Sequence, residues 1–300
     1  MATPDILGLE LSDSIARAIV VDADGRVAGR AEGPSSEAGA LAEAASTALR
    51  AAGTDRPRLI GVAAIEPLNV RVQSVIKTLS TNWDTQIRSE FVGWGGAYAL
   101  AESWCGAARG ARNILAFAVG ERSSAGIILD GRLWTGAHGL AGSAAWLALN
   151  PVEREDYRKL GCLDAEVGAT GIVRRFVWRI KSGDQSRVVD MVDGNLAAIT
   201  LPQILAGARD GDGVAISVVR DTVKYIGMAV SNLATTVDPE VIVLGGMVQT
   251  AGDLLLDPLR YECGRRMSPA MYNSIKIELA TLGADAPAIG AARQALTGFS

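Results

Sequence analysis

Short runs dense in Val, Ile and Leu alternate along the chain with longer stretches whose apolar positions repeat at helical spacing. The runs predict strands over 5–11, 17–22, 26–31 and 59–64, then over 112–119, 125–129 and 132–135, and again over 240–244 and 275–280. Between them, residues 36–52 open on a Ser cap and keep Leu41, Ala45 and Leu49 on one face, which predicts a helix. Similar spacing predicts helices over 97–107, 164–181 and 213–236, and a further helix is expected over 248–260 after the strand that ends at Gly245-Gly246. Strands followed by helices place the chain in the α/β class.

One internal similarity organises these elements. "LGLELSDSIARAIVVDADGRV" at 7–27 and "LAFAVGERSSAGIILDGRLW" at 115–134 share a frame of apolar strand, polar turn and apolar strand ending in Asp-Gly-Arg. A duplicated β-hairpin that opens two related lobes accounts for this, and two lobes imply a cleft between them, where ligands usually sit.

The chain of 300 residues is 49% hydrophobic and 21% charged, which is enough to bury a full core. A formal charge of −4, with Lys and Arg scattered, leaves no stripe to neutralise phosphates and argues against a nucleic-acid partner. The three cysteines, Cys105, Cys162 and Cys263, are too far apart for a zinc spacing and too few for a disulfide framework, and point to a reducing cytoplasm. The N-terminus has neither a basic region nor a long apolar stretch, and no window of the chain suits a membrane span.

Four motifs carry a resemblance: "ILDGRLWTGAHGLAG" at 128–142, "GCLDA" at 161–165, "DPEVIVLGG" at 238–246 and "LGADAPAIGAA" at 282–292. Together they resemble the ROK (repressor, open reading frame, kinase) family of actin-like sugar kinases, from residue 5 to about 297. The resemblance implies a two-lobed actin-like (ribonuclease H-like) α/β fold with a cleft that takes Mg-ATP on one side and a sugar on the other. It places an N-terminal lobe at 1–110, completed by a C-terminal helix at about 287–298, and a second lobe at 111–286. Family members tend to dimerise, which extends the expected partners to a homodimer or a heteromer with a paralogue.

Position by position, the family's chemistry is missing. Its first phosphate hairpin reads Asp, aliphatic, Gly-Gly-Thr, and here stand Glu10, Leu11, Ser12, Asp13 and Ser14, with Asp13 expected to repel a polyphosphate. Its second is glycine-rich, whereas here only Gly120 and Gly126 flank Glu121, Arg122, Ser123, Ser124 and Ala125; the bland reading is a solvated turn with a Glu121–Arg122 pair. The family's catalytic Asp falls on "GWGG", at Trp94 beside Gly96, and an indole cannot accept a proton. The sugar-holding Glu and the zinc-binding His become Ser143 and Trp146, and the zinc cysteines reduce to Glu155, Tyr157 and Cys162, so no zinc is expected. Asp164 replaces a family Glu and is open to a second reading as a helix cap. Gly245 and Gly246 would lie against the adenosine, or else simply turn strand into helix.

The sole histidine, His138, is more simply a hydrogen-bonded loop residue than an acid or base. Trp83, Trp94 and Trp146 are either core filler or the wall of a more apolar pocket. Taken together, the departures favour a pseudokinase that binds a small molecule, such as a sugar or cyclitol, or a protein partner. No helix-turn-helix motif precedes residue 5, which disfavours the repressor branch. The alternative is an active sugar or cyclitol kinase with Glu66 or Asp84 as a displaced base, or another reaction using Glu10, Asp13, Glu121 and His138. Mg-ATP would be required only for the kinase.

Overall fold

The computed structural model describes residues 5–35, 39–65, 89–120 and 122–298. Ser36, Glu66, Trp83, Asp84 and Glu121, all singled out above, lie outside the described residues.

Among the described residues, short apolar runs build two five-stranded sheets of the same design. In the first, β1 (Ile6–Leu11), β2 (Ile15–Val21) and β3 (Val27–Pro34) form an antiparallel meander, and β4 (Leu59–Ala64) and β5 (Ser89–Gly93) add in parallel on the other side of β1. Between β3 and β4 lies α1 (Ala40–Ala51), and β5 runs directly into α2 (Trp94–Cys105). The second sheet repeats the plan: β6 (Ile114–Val119), β7 (Ser123–Leu129) and β8 (Arg132–Leu133) are antiparallel, while β9 (Val241–Gly246) and β10 (Lys276–Leu279) lie parallel beside β6. The duplicated hairpin read from the sequence is therefore β1–β2 and β6–β7.

Helices α3 (Glu155–Leu160), α4 (Cys162–Val167), α5 (Ala169–Lys181), α6 (Leu201–Arg209) and α7 (Gly213–Val237) fall between β8 and β9. Helices α8 (Met247–Thr250), α9 (Gly252–Gly264) and α10 (Pro269–Ser274) lead to β10, and α11 (Ala286–Thr297) ends the chain's described part. Among the described residues no helix is long and apolar enough to cross a membrane.

Because side chains alternate along a strand, each sheet faces two cores. Leu7, Leu9 and Leu11 pack with Leu41 and Leu49 of α1, whereas Ile6 faces the layer formed by α2 and α11. Leu115, Phe117 and Val119 face α7, while Ile114, Ala116 and Ala118 enter that same α2–α11 layer. The α2–α11 layer is thus shared by both sheets, and α2 brings its N-terminus to the gap between the two hairpins.

Local differences from the sequence reading have local causes. The helix expected over 164–181 is two helices, because Gly168 takes an extended conformation (φ −65°, ψ 156°) between α4 and α5. The helix expected at 248–260 is likewise split, at Ala251. The helix expected at 97 starts at Trp94, and the short strand β5 before it is too polar and too brief to be read from its pattern.

Candidate functional site

A cavity of about 580 Å³ opens between the two sheets, at the ends of the hairpins. Its floor is the N-terminus of α2, one wall is the β1–β2 turn with the ends of β4 and β5, and the other is β7 with the loop from Thr135 to Trp146. The floor and the β7 wall are held at close range by small residues: a Cβ at Gly95 would overlap the Ala125 carbonyl and the Ser124 hydroxyl.

Glu10 lines this cavity but is almost wholly buried, at 5% exposure. It stands directly opposite Arg17 across the β1–β2 ladder, and the guanidinium Nη1 donates to Glu10 Oε2 at 2.6 Å. Arg17 also donates to Glu32 Oε2 at 3.0 Å and to the Ala284 carbonyl, which ties the hairpin to the segment before α11. The second oxygen of Glu10 accepts the indole N–H of Trp94 at 2.8 Å. Arg17 escaped the motif comparison. Its position opposite Glu10, a charge inside the apolar run "IARAIVV", is the signal that would have found it.

Trp94 spans the gap between the hairpins. While its nitrogen bonds Glu10 on the first, the far edge of its ring meets the turn of the second, where a Cβ at Gly120 would lie 3.3 Å from Trp94 Cη2. Behind it, Tyr98 lies with its ring centroid 5.4 Å away. Burial, reinforced by Glu102 and Glu10, pushes the Tyr98 phenol well above its ordinary value. The missing Cβ of Gly245 leaves the room that the Tyr98 phenol fills, and Gly246, at φ +63°, turns β9 into α8. Neither glycine lines the cavity.

The Glu121–Arg122 pair read from sequence lies outside the described residues, but Arg122 and the serines after it have partners elsewhere in the fold. Ser123 and Ser124 belong to β7, paired with Val119 and Ala118. Arg122 reaches Asp164, with Nε 3.6 Å from Oδ2, and donates to the Leu160 carbonyl at 3.0 Å. Asp164 is no helix cap: it lies buried within α4 and accepts the Ser123 amide at 2.6 Å, so it fixes the turn from behind. Asp13 sits exposed at the tip of the first turn, between Ser12 and Ser14, and does not itself line the cavity.

Of the remaining candidates, Ser12, Ser14, Gly96, His138, Ser143 and Trp146 line the cavity. His138 and Trp146 are exposed on the loop, and Ser143 donates to the Leu140 carbonyl at 2.7 Å. Apolar lining residues that were not singled out as candidates include Ile15, Ile65, Phe91 and Leu140, the last inside the 128–142 motif.

The zinc set implied by the resemblance does not fit these residues. Glu155 is exposed and paired with Lys159 at 2.7 Å, and Cys162 packs in a small apolar cluster with Tyr157 and Ala165. The Tyr157 hydroxyl donates at 2.6 Å to Glu166, a buried carboxylate that also pairs with Arg154 at 3.2 Å. Among the described residues no three His, Cys, Asp or Glu side chains come together as a metal site.

This geometry has known relatives. The sequence profile of the ROK family matches residues 17–297. The chain belongs to the ROK family. A glucokinase of Halalkalibacterium halodurans is 34% identical over 194 residues, 64% of this ROK chain and 58% of that protein. A xylose repressor of Caldicellulosiruptor bescii is 27% identical over 197 residues, 65% of this chain and 48% of that protein. The ROK chain thus matches roughly half to three-fifths of the length of these curated relatives. A ROK family glucokinase from Streptomyces griseus, solved in complex with glucose and AMPPNP, superimposes with a TM-score of 0.80 over 98% of this chain and 100% of that one, at 22% identity. The two-lobed actin-like sugar-kinase fold read from the motifs is the fold of this ROK protein.

Proposed function

We propose that this ROK protein binds a sugar or cyclitol in the cavity between its sheets and no longer transfers phosphate. The reading takes residues 1–110 with the C-terminal helix as one lobe and 111–286 as the other. Sugar binding is supported by the relatives, among them two glucokinases, one of them solved in complex with glucose, and a protein named xylose repressor.

The loss of phosphoryl transfer rests on one observation, the placement of Trp94. An indole occupies the position that the resemblance gives to the base, and a positioned base is typically worth 10²- to 10⁴-fold in rate. That indole also holds Glu10, the carboxylate at the position of the family's magnesium-side Asp, and closes against Gly120 of the second hairpin. A polyphosphate bridging the two turns would have to displace the ring, and Glu10 would have to give up Arg17 to face magnesium. The residues present therefore do not fit Mg-ATP in the family's manner, and no step is routed through it.

The test is thermal unfolding of the purified protein with Mg-ATP and, separately, with a panel of sugars and cyclitols, alongside an assay for ATP-dependent phosphorylation of each. A ligand at 100 times its dissociation constant adds about 2.7 kcal/mol of stability. The expected result is a shift with at least one sugar and none with Mg-ATP. Phosphorylation of any member of the panel would overturn the reading.

A further inference from the structure

The cavity wall carries more information about its ligand than the word sugar conveys. Among the described residues two charged side chains line it, Glu10 and Arg122, and both are committed to protein partners: Glu10 to Arg17 and Trp94, Arg122 to Asp164 and the Leu160 carbonyl. The Ser143 hydroxyl, at the position of the family's sugar-holding Glu, is turned onto the Leu140 carbonyl. Meanwhile large apolar side chains stand in the open. Leu140 is 69% exposed and Trp146 54% exposed, and both face the same cavity as Trp94 and Phe91. Exposed apolar surface gathered at one concave site marks a place where something apolar binds.

A bare polyol fits such a wall poorly. Each ligand hydroxyl that leaves water without a partner costs roughly tenfold in affinity, while the apolar wall gains nothing from it. We infer that the cavity takes a glycoside whose sugar ring carries an aromatic or alkyl group, with that group against Trp146 and Leu140. Thr135 and His138, on the loop over the cavity, supply polar groups for the ring. The inference rests on the sugar-binding reading above and adds the class of the sugar's substituent.

The test uses the full chain and calorimetric titration with three probes for each sugar of the panel: the free sugar, its methyl glycoside and its phenyl glycoside, with phenol as a control. Tryptophan fluorescence gives a second readout, since Trp94 and Trp146 both line the cavity. The expected result is a phenyl glycoside bound at least about tenfold more tightly than the methyl glycoside, as burial of a ring face predicts. Trp146→Ala and Leu140→Ala should each reduce that preference; both side chains are exposed, so unfolding midpoints unchanged from wild type would exclude misfolding as the cause. Equal affinity for free, methyl and phenyl forms would overturn the inference and leave the sugar reading standing. Phenol binding as tightly as its glycosides, or no binding by any probe, would overturn both.

Discussion

The Trp94 indole donates to one oxygen of Glu10 at 2.8 Å while Arg17 holds the other at 2.6 Å. This carboxylate is therefore fixed from two sides, by the helix that starts at the cavity floor and by the strand opposite its own. The carboxylate at the end of the first strand thereby serves as a joint between elements.

Removing the indole separates steric exclusion from charge repulsion. Trp94→Ala should raise Mg-ATP affinity by at least about tenfold, an effect of about 1.4 kcal/mol, if the ring occupies the path between the hairpins. Asp13→Gly should change it by less than about fivefold, because an exposed, solvent-screened charge is worth no more than about 1 kcal/mol. Neither variant should gain phosphoryl transfer. A larger gain from Asp13→Gly, measured by titration calorimetry, would return the explanation to the exposed turn.

Arg17 should matter for stability more than any surface arginine. Both it and Glu10 have side chains only 7% exposed, so Arg17→Met strands a buried carboxylate at a cost of about 3–5 kcal/mol. Glu10→Gln combined with Arg17→Met removes the stranded charge and should recover part of that loss. Urea unfolding of the two variants checks the sign: a double variant less stable than the Arg17 single would contradict it.

Much of this arrangement was legible beforehand, and the exceptions share a cause. Strand runs such as "ILAFAV" announce themselves because both faces of the strand are buried. Gly95 and Gly96 disguised the start of α2, since glycine reads as a loop, yet a close approach to β7 demands it there. Ser123 and Ser124 read as a turn by composition, but their amides are committed to a ladder and to Asp164, forty-odd positions away. A Trp at position 94, where the resemblance gives the base, was visible in the motif. What it touches was not, because Glu10 and Gly120 meet it only through packing of the two sheets.

Glu102 is another buried carboxylate that ties elements together. It is fully buried at the C-terminal end of α2 and accepts the amides of Ala107, Thr281 and Leu282 at 2.8–3.0 Å. Glu102→Ala orphans these donors, each worth about 1–3 kcal/mol when left buried, and should destabilise by at least about 3 kcal/mol. Glu102→Gln should be nearly as damaging, since one end of the amide presents hydrogens to donors. A loss below about 1 kcal/mol in denaturant unfolding would mean that water reaches these amides.

The Tyr157–Glu166–Arg154 network, where the resemblance would place a zinc, is expected to leave a signature at alkaline pH. Burial first, then the hydrogen bond and charge of Glu166, raise the Tyr157 phenol to about 12. An unfolded tyrosine titrates near 10, so the folded chain holds this proton more tightly. The resulting stabilisation is fully present below about pH 10 and is lost as the pH rises towards about 12. Tyr157→Phe removes the bond to a charged acceptor and should cost about 1.5–3 kcal/mol at pH 8. The gap between wild type and variant should then narrow from about pH 10 upward, since the wild type alone loses this contribution. Urea midpoints at pH 8, 10 and 11, read with phenolate absorbance, test this directly. A gap that stays constant across that range would show that Tyr157 does not titrate there and that its bond to Glu166 is not what anchors α3 to α4.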